Sequence, residues 1–382
     1  MSKIIYLDNN ATTKLDPRVL VAMMPFLTES YANAASIHPF GVEAHGAVKN
    51  AREQVADLIC CEANEIVFTS SATEAINLAI KGVAEAYKDK GKHIVTVATE
   101  HPAVLGTCRY LEGKGFEITY LPVQSDGLLD LDVVRKSVRK DTILVSVMLV
   151  NNEIGVIQPI KEIAEITHSK GSFFMTDGTQ AVGKLPINVN ELGIDLMSFS
   201  GHKFYGPKGI GALYIRGKRP NKVRLNPLIH GGGHEKGLRI GTLNVPGIVG
   251  LGKASEIAKQ EMETDAKRIG ELRDHLEKEV LKIKNTSLNG HPTKRLYNVS
   301  NICFKGADAV MVGLKGIMIS NGSACTSTKI EPSHVLKALN LSDEDAFASL
   351  RFSLGRFNTR KEICEIIKVI KKIIKSVRLM SK

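Results

Sequence analysis

One lysine stands out for what surrounds it. Lys203 lies in SFSGHKFYGPKGIG, residues 198–211, after an apolar run that reads as a buried strand and before a glycine-rich turn. Flanked by Ser200 and His202 at the edge of a sheet, its amine would be partly desolvated, which lowers an amine's pKa and suits it to Schiff-base formation. The plainer alternative is a solvated loop lysine.

Asp177 closes the run SFFMTD at 172–177, and Gln180 follows in the DGTQ that begins at the aspartate. A carboxylate there either caps a turn or keeps a pyridinium nitrogen protonated, the contact that lets pyridoxal phosphate act as an electron sink. Ser70-Ser71-Ala72-Thr73-Glu74 joins a strand to a helix. Its backbone N–H groups and the Thr73 hydroxyl can face a phosphate, and the same residues can form a capping box; the two readings are compatible. His101 follows another strand at a His-Pro helix start, where an imidazole could lie over a planar cofactor and move protons. Asn151 and Asn152 follow the most apolar strand and either close a turn or point at a ligand; for Asn152 the ligand is favoured.

Cys325 sits in the small, polar stretch SNGSACTS at 320–327, where a thiol is exposed and can react as thiolate. The other five cysteines, Cys60, Cys61, Cys108, Cys303 and Cys364, lie in apolar periodic contexts and read as core residues. Arg351 alternates with apolar neighbours, so its guanidinium is either buried in an ion pair or offered as a fork to a substrate carboxylate. His230 and His234 lack helical context and a carboxylate partner for zinc.

These residues need a sheet to gather them. From about residue 65 to 215, β-branched runs alternate with helical periodicity, the pattern of a parallel α/β sheet. Strands are expected over 66–69, 93–98, 117–121, 142–150, 172–176, 195–199 and 211–215, with helices over 73–87, 102–114 and 159–170. Ligands in such sheets gather at the C-terminal strand ends, which is where Asp177, Lys203, His101 and Asn152 fall. Beyond residue 247 the alternation gives way to a long helix to about 284, strands near 296–304, 316–319 and 350–353, and a last helix whose isoleucines form one stripe. Asn358 or Thr359 would cap that helix.

The chain has 382 residues, 43% hydrophobic and 24% charged, which suits a folded protein of two domains rather than a disordered one. Its formal charge of +11 comes from scattered Lys and Arg, so no nucleic-acid patch is indicated. The cysteines show no CxxC pair or disulfide framework, and no apolar run approaches a bilayer span, so a reduced, cytoplasmic protein without membrane contact is expected.

Together the motifs closely resemble the pyridoxal-phosphate-dependent cysteine desulfurases of the NifS/IscS type, which have the aspartate-aminotransferase-like fold type I: a large parallel-type sheet domain plus a smaller α+β domain. The match runs through YLDNNATT (6–13), SATE (71–74), EHPAV (100–104), NNEIGVIQP (151–159), the Lys203 segment, RIGTLNVP (239–246), GSACTS (322–327) and RFSLGRFNT (351–359). The chain departs from the family's pattern at ANAAS (32–36), Ser71, His234 and Ile240.

The resemblance implies a large domain over 16–246 and a small one from 1–15 and 247–382. It implies that Lys203 binds the cofactor covalently, that Asp177 pairs with the ring nitrogen, and that His101 stacks on the ring and handles protons. Gln180 and Asn152 would steer the phenolic oxygen; Ala72, Thr73, Ser200 and His202 would hold the phosphate, with Thr242 reaching over from a second subunit of a homodimer. Arg351 would clamp the carboxylate of L-cysteine, with Asn33 bordering the substrate. Cys325 would take the sulfur as a persulfide and release L-alanine, then pass the sulfur to an iron–sulfur scaffold protein or other acceptors, tRNA-thiolation proteins among them. No permanent metal is expected; at most Cys325 would ligate an iron–sulfur cluster transiently. A sister enzyme of the same fold, an aminotransferase or selenocysteine lyase, would share Lys203 and Asp177, so Cys325 discriminates.

Overall fold

The computed structural model describes residues 4–218, 221–306, 314, 316–321 and 331–380, with side chains to 376. In chain order its elements are β1 (Ile5–Tyr6), α1 (Pro17–Thr28), α2 (Pro39–Leu58), β2 (Ile66–Thr69), α3 (Ala72–Tyr87), β3 (His93–Val97), α4 (Pro102–Glu112), β4 (Glu117–Leu121), α5 (Leu131–Ser137), β5 (Thr142–Ser146) and α6 (Ile160–Ser169). There follow β6 (Phe173–Asp177), β7 (Leu196–Ser200), β8 (Gly211–Ile215), α7 (Val245–Val280), β9 (Thr286–Asn289), β10 (Val299–Phe304), β11 (Ile317–Met318), α8 (His334–Ala338), α9 (Asp343–Phe347), β12 (Ser349–Ser353) and α10 (Arg360–Met380).

The seven expected strands form one sheet in the order β2-β8-β7-β6-β5-β3-β4. All neighbouring pairs are parallel except those of β8, which runs against both β2 and β7. Because β8 is reversed on both sides, β2 points the same way as β7, and the ends of β2, β3, β5, β6 and β7 share one edge. β2, β3, β5, β7 and β8 are buried along their whole length, which is why their sequences are apolar on both faces. One expected strand is shorter: β5 stops at Ser146, and the chain beyond it continues with only spaced bonds, Val147 N to Met175 O and Leu149 N to Asp177 O.

Two apolar layers flank this sheet. On one side Phe68, Val145, Phe174 and Phe199 pack with α2 and the first half of α7; on the other Val67, Leu144 and Met175 pack with α3 and α4. The smaller sheet, β12-β10-β9, has its own core, in which Ile302, Phe304 and Phe352 meet Ile363, Ile366 and Ile370 of α10. The 36-residue α7 belongs to both: Leu251 and Ala254 pack in the large core, Leu272 and Leu276 in the small one. Its Gly252 lets it lie against α2, since a Cβ there would come within 2.6 Å of Ala51 Cα.

The N-terminal strand ties the two parts together. β1 pairs in parallel with β11, and residues 9–13 then cross to the large sheet, where Thr13 N donates to His202 O at 2.9 Å. The cap of α10 resolves to Thr359: its hydroxyl accepts from Glu362 N while Glu362 returns the bond to Thr359 N, a reciprocal capping box. Asn358 instead accepts from Gly355 N at 2.8 Å.

Candidate active site

At the shared strand edge lies a cavity of about 420 Å³, lined by Asn10, Ala72, Thr73, His101, Asn152, Asp177, Thr179, Gln180, Ser200, His202, Lys203, His334 and Arg351, among others. Lys203 is carried there by a single tight turn after β7. Its Nζ donates to the carbonyls of Asn10 and Ala11, 2.7 Å each. Asp177 ends β6 and is buried; its Oδ1 accepts from Thr179 N at 2.9 Å, so it does close a turn. The Thr179 hydroxyl beside it is buried with no hydrogen-bond partner.

The β2–α3 junction presents a helix N-terminus to the same space. Ser71 caps α3, accepting from Glu74 N at 3.2 Å, while Glu74 reaches back to Ser70 N at 2.8 Å. The fourth N–H, that of Ala75, bonds to Ser71 O, so the N–H groups of Ala72 and Thr73 have no acceptor within the helix. β8 is pressed against this turn: a Cβ on Gly211 would lie 2.7 Å from the carbonyl carbon of Ser71. An anion is the natural occupant of such an end.

Besides His334, two histidines border the cavity. His101 caps α4, its Nδ1 accepting from Ala103 N at 3.1 Å, which leaves the ring's proton on Nε2 in the neutral form. Burial lowers its pKa, opposed by Asp177 and reinforced by Lys203 and His334. His202 Nδ1 lies 3.1 Å from the Thr12 hydroxyl, and burial, with Lys203, Lys208 and Lys184 adding, pulls its pKa down to about 4. Both rings are therefore neutral at pH 7.

Arg351 makes the ion pair that was one of its two sequence readings. Nη2 pairs with Asp8 at 2.6 Å and Nη1 donates to Asn152 O at 2.9 Å, but Nε is buried without a partner. Of the adjacent asparagines, Asn151 closes the turn, its Oδ1 accepting from Glu153 N and Ile154 N, while Asn152 lines the cavity.

A bare helix N-terminus, an unpartnered buried hydroxyl, a lysine, a carboxylate and a neutral imidazole around one cavity fit pyridoxal phosphate, whose phosphate, phenolic oxygen, aldehyde and ring nitrogen ask for these groups. The comparisons give the family. A model of the class-V aminotransferase family matches residues 5–366. The chain is 50% identical over 384 residues to cysteine desulfurase IscS of Methanosarcina thermophila, covering 100% of this chain and 94% of that one. To the IscS of Pectobacterium carotovorum it is 53% identical over 382 residues, with 99% and 94% covered. A solved NifS-like protein superposes with a TM-score of 0.90 at 39% identity over 98% of this chain and 100% of that one. SspA, solved in complex with cysteine, gives 0.83 at 39% identity over 93% and 100%.

The chain belongs to the class-V aminotransferase family. Within that family it stands with the NifS/IscS-type cysteine desulfurases, and its fold is the aspartate-aminotransferase-like fold type I. For this class-V aminotransferase, ten expected site residues, Ala72, Thr73, His101, Asn152, Asp177, Gln180, Ser200, His202, Lys203 and Arg351, line one cavity. Thr242 and Asn33 do not line it and are exposed in the single chain; the Asn33 side chain accepts from Ala35 N at 2.9 Å. Cys325 lies outside the described residues.

Sequence reasoning passed over several residues that the structure gathers. Asn10 stands in the quoted YLDNNATT motif, yet nothing in its spacing says that its carbonyl receives Lys203. Glu100 precedes His101 and is fully buried: Oε1 accepts from Met148 N at 2.5 Å, Oε2 has no partner, and burial, reinforced by Asp177, holds its pKa well above the usual carboxylate range. Glu153 is likewise raised by burial and bonded by Ser333 at 2.6 Å. His334, which starts α8, donates from Nε2 to Glu100 O at 2.9 Å.

Proposed function

We propose that this chain is a cytoplasmic, pyridoxal-phosphate-dependent cysteine desulfurase that removes sulfur from L-cysteine, releases L-alanine and passes the sulfur as a persulfide on Cys325 to acceptor proteins, an iron–sulfur scaffold first among them. The observation that carries this reading is the convergence of Lys203, Asp177, His101, the open end of α3 and the unpartnered Arg351 Nε on one cavity. We take residues 16–246 as the cofactor-binding unit and 1–15 with 247–382 as the unit bearing Cys325. The five described cysteines are all free thiols, as a reducing compartment keeps them.

When bound, pyridoxal phosphate supplies an electron sink for charge developed beside the substrate's amine. Lys203 holds it covalently through Nζ, and Asp177 keeps its ring nitrogen protonated. The Ala72 and Thr73 N–H groups, with Ser200 and His202, hold the phosphate, joined by Thr242 of a second copy in a homodimer. Gln180 and Asn152 orient the phenolic oxygen. His101, neutral, borders the cavity, where it would stack on the ring and relay a proton. Arg351 keeps two nitrogens on Asp8 and Asn152 and turns Nε to the substrate carboxylate, with Asn33 at the border of the substrate space. The Cys325 thiolate attacks the substrate sulfur: an S–S bond forms as the Cβ–S bond breaks, so thiol and cysteine give persulfide and alanine without an external oxidant or reductant.

Incubation with L-cysteine should yield alanine and protein-bound persulfide in equal amounts in a single turnover. Cys325→Ser should retain the cofactor and its absorbance while losing persulfide and sulfur delivery. Sulfur still reaching an acceptor from that variant would assign the chain to a sister activity of the fold.

A further inference from the structure

Lys184 is buried, as no other described lysine is. It follows β6 in a run of turns, its backbone N–H bonded to Ala181 O at 2.9 Å. Its Nζ donates to Gln180 Oε1 at 2.9 Å. Among the described residues it makes no ion pair. The charged groups that bear on it are Lys203 from the turn after β7 and Arg351 from β12, both cations; these and burial, the larger cause, pull its pKa down to about 7. It in turn bears on His202. An ammonium buried without a counter-ion is costly, and a methionine would fill the same space without that cost. The residue's value must lie in what the amine fixes.

That is the Gln180 amide. The two ends of an amide have nearly the same shape, so packing alone cannot choose between them. An ammonium has three donors and no acceptor, so Oε1 faces it, while the Asn10 carbonyl, which only accepts, takes Nε2 at 2.9 Å; the two contacts hold the amide from both ends. The same carbonyl receives Lys203 Nζ at 2.7 Å. One chain of hydrogen bonds thus runs from Lys184 through Gln180 and Asn10 to Lys203. A neutral amine could accept as well as donate, so its hold on Oε1 would loosen and Asn10 O alone would fix the amide.

We propose that Lys184 is a positioning residue: as an ammonium it holds Oε1 while the Asn10 carbonyl holds Nε2, so that the Gln180 amide is fixed from both ends at the edge of the cavity. The proposal rests on the reading above, in which Gln180 faces the phenolic oxygen of a cofactor bound to Lys203.

The test is a pH titration of the visible absorbance of purified, cofactor-loaded protein, wild type against Lys184→Met, with thermal melting of both. The variant should move the absorbance midpoint upward by roughly half a pH unit or more, since a nearby cation is removed and the Gln180 donor is held at one end only. Its melting temperature should be unchanged or higher, because an unpaired buried charge is gone. A midpoint equal to that of wild type, whatever the melting temperature, would overturn the assignment. Should the methionine variant not fold, Lys184→Gln, whose amide ends one atom short of Nζ, carries the same expectation and the same refutation. A wild-type protein with no borohydride-sensitive absorbance would instead remove the underlying cofactor reading, and this inference with it.

Discussion

At the scale of single residues the site rests on side chains that are only partly satisfied by the protein. Arg351 shows this best. Asp8 and Asn152 O take its two terminal nitrogens, while Nε stays buried and unpartnered, a state that is unfavourable unless a ligand completes it. Its sequence context, alternating with apolar neighbours, disclosed burial but could not choose between an ion pair and a substrate contact; the fold shows the ion pair and leaves Nε for the contact proposed above. Lysine in its place keeps a cation for Asp8 but has no planar fork. Arg351→Lys should therefore raise KM for L-cysteine roughly 10- to 100-fold, the worth of a hydrogen bond to a charged group, with a smaller change in kcat. Steady-state rates measure both constants, and an unchanged KM would remove Arg351 from the substrate contact.

At the scale of elements, legibility followed burial. The strands of the large sheet were readable because most lie between two apolar layers and so carry apolar residues on both faces. Helices α1 and α2 escaped notice for opposite reasons. In α1 only Val19 is buried, while Leu20, Val21, Met24 and Leu27 are exposed, so no inward stripe stands out. In α2 the buried face is largely Gly41, Ala44, Ala51 and Ala56, small residues that pack closely without a strong apolar signal. Long-range polar ties were invisible too. Glu235, held at φ 44°, takes both terminal nitrogens of Arg52, at 2.5 and 2.9 Å, and accepts from Phe68 N at 2.8 Å. Arg239 pairs with Glu74 at 2.9 Å, fastening the segment before Thr242 to the cap of α3. Removing the Glu235 carboxylate leaves the Phe68 N–H without a partner and leaves Arg52, still bonded to Ile66 O at 2.8 Å, without its counter-ion. Glu235→Ala should cost about 3 kcal/mol, read as a lower denaturant midpoint; a variant as stable as wild type would show that the tie is incidental.

At the scale of the whole molecule, no single element makes the cavity. Its lining comes from the ends of the large sheet, from residues 10 and 11 of the N-terminal segment, and from Arg351 of the small sheet. Thr242 is exposed and lies outside that lining, and the stretch from Leu20 to Val42 carries exposed apolar side chains, Ile37 at 97% and Tyr31 at 73%. A second copy covering that face and offering Thr242 accounts for both, so sedimentation should give twice the chain mass at micromolar concentration; a stable monomer that still holds its cofactor would contradict the shared site. In the enzyme proposed above, one amine, that of Lys203, carries the cofactor. Reduction of the purified protein with borohydride followed by peptide mass mapping should place the pyridoxyl group on Lys203, and Lys203→Ala should show none; the group found on another residue, or persisting in the variant, would contradict the account.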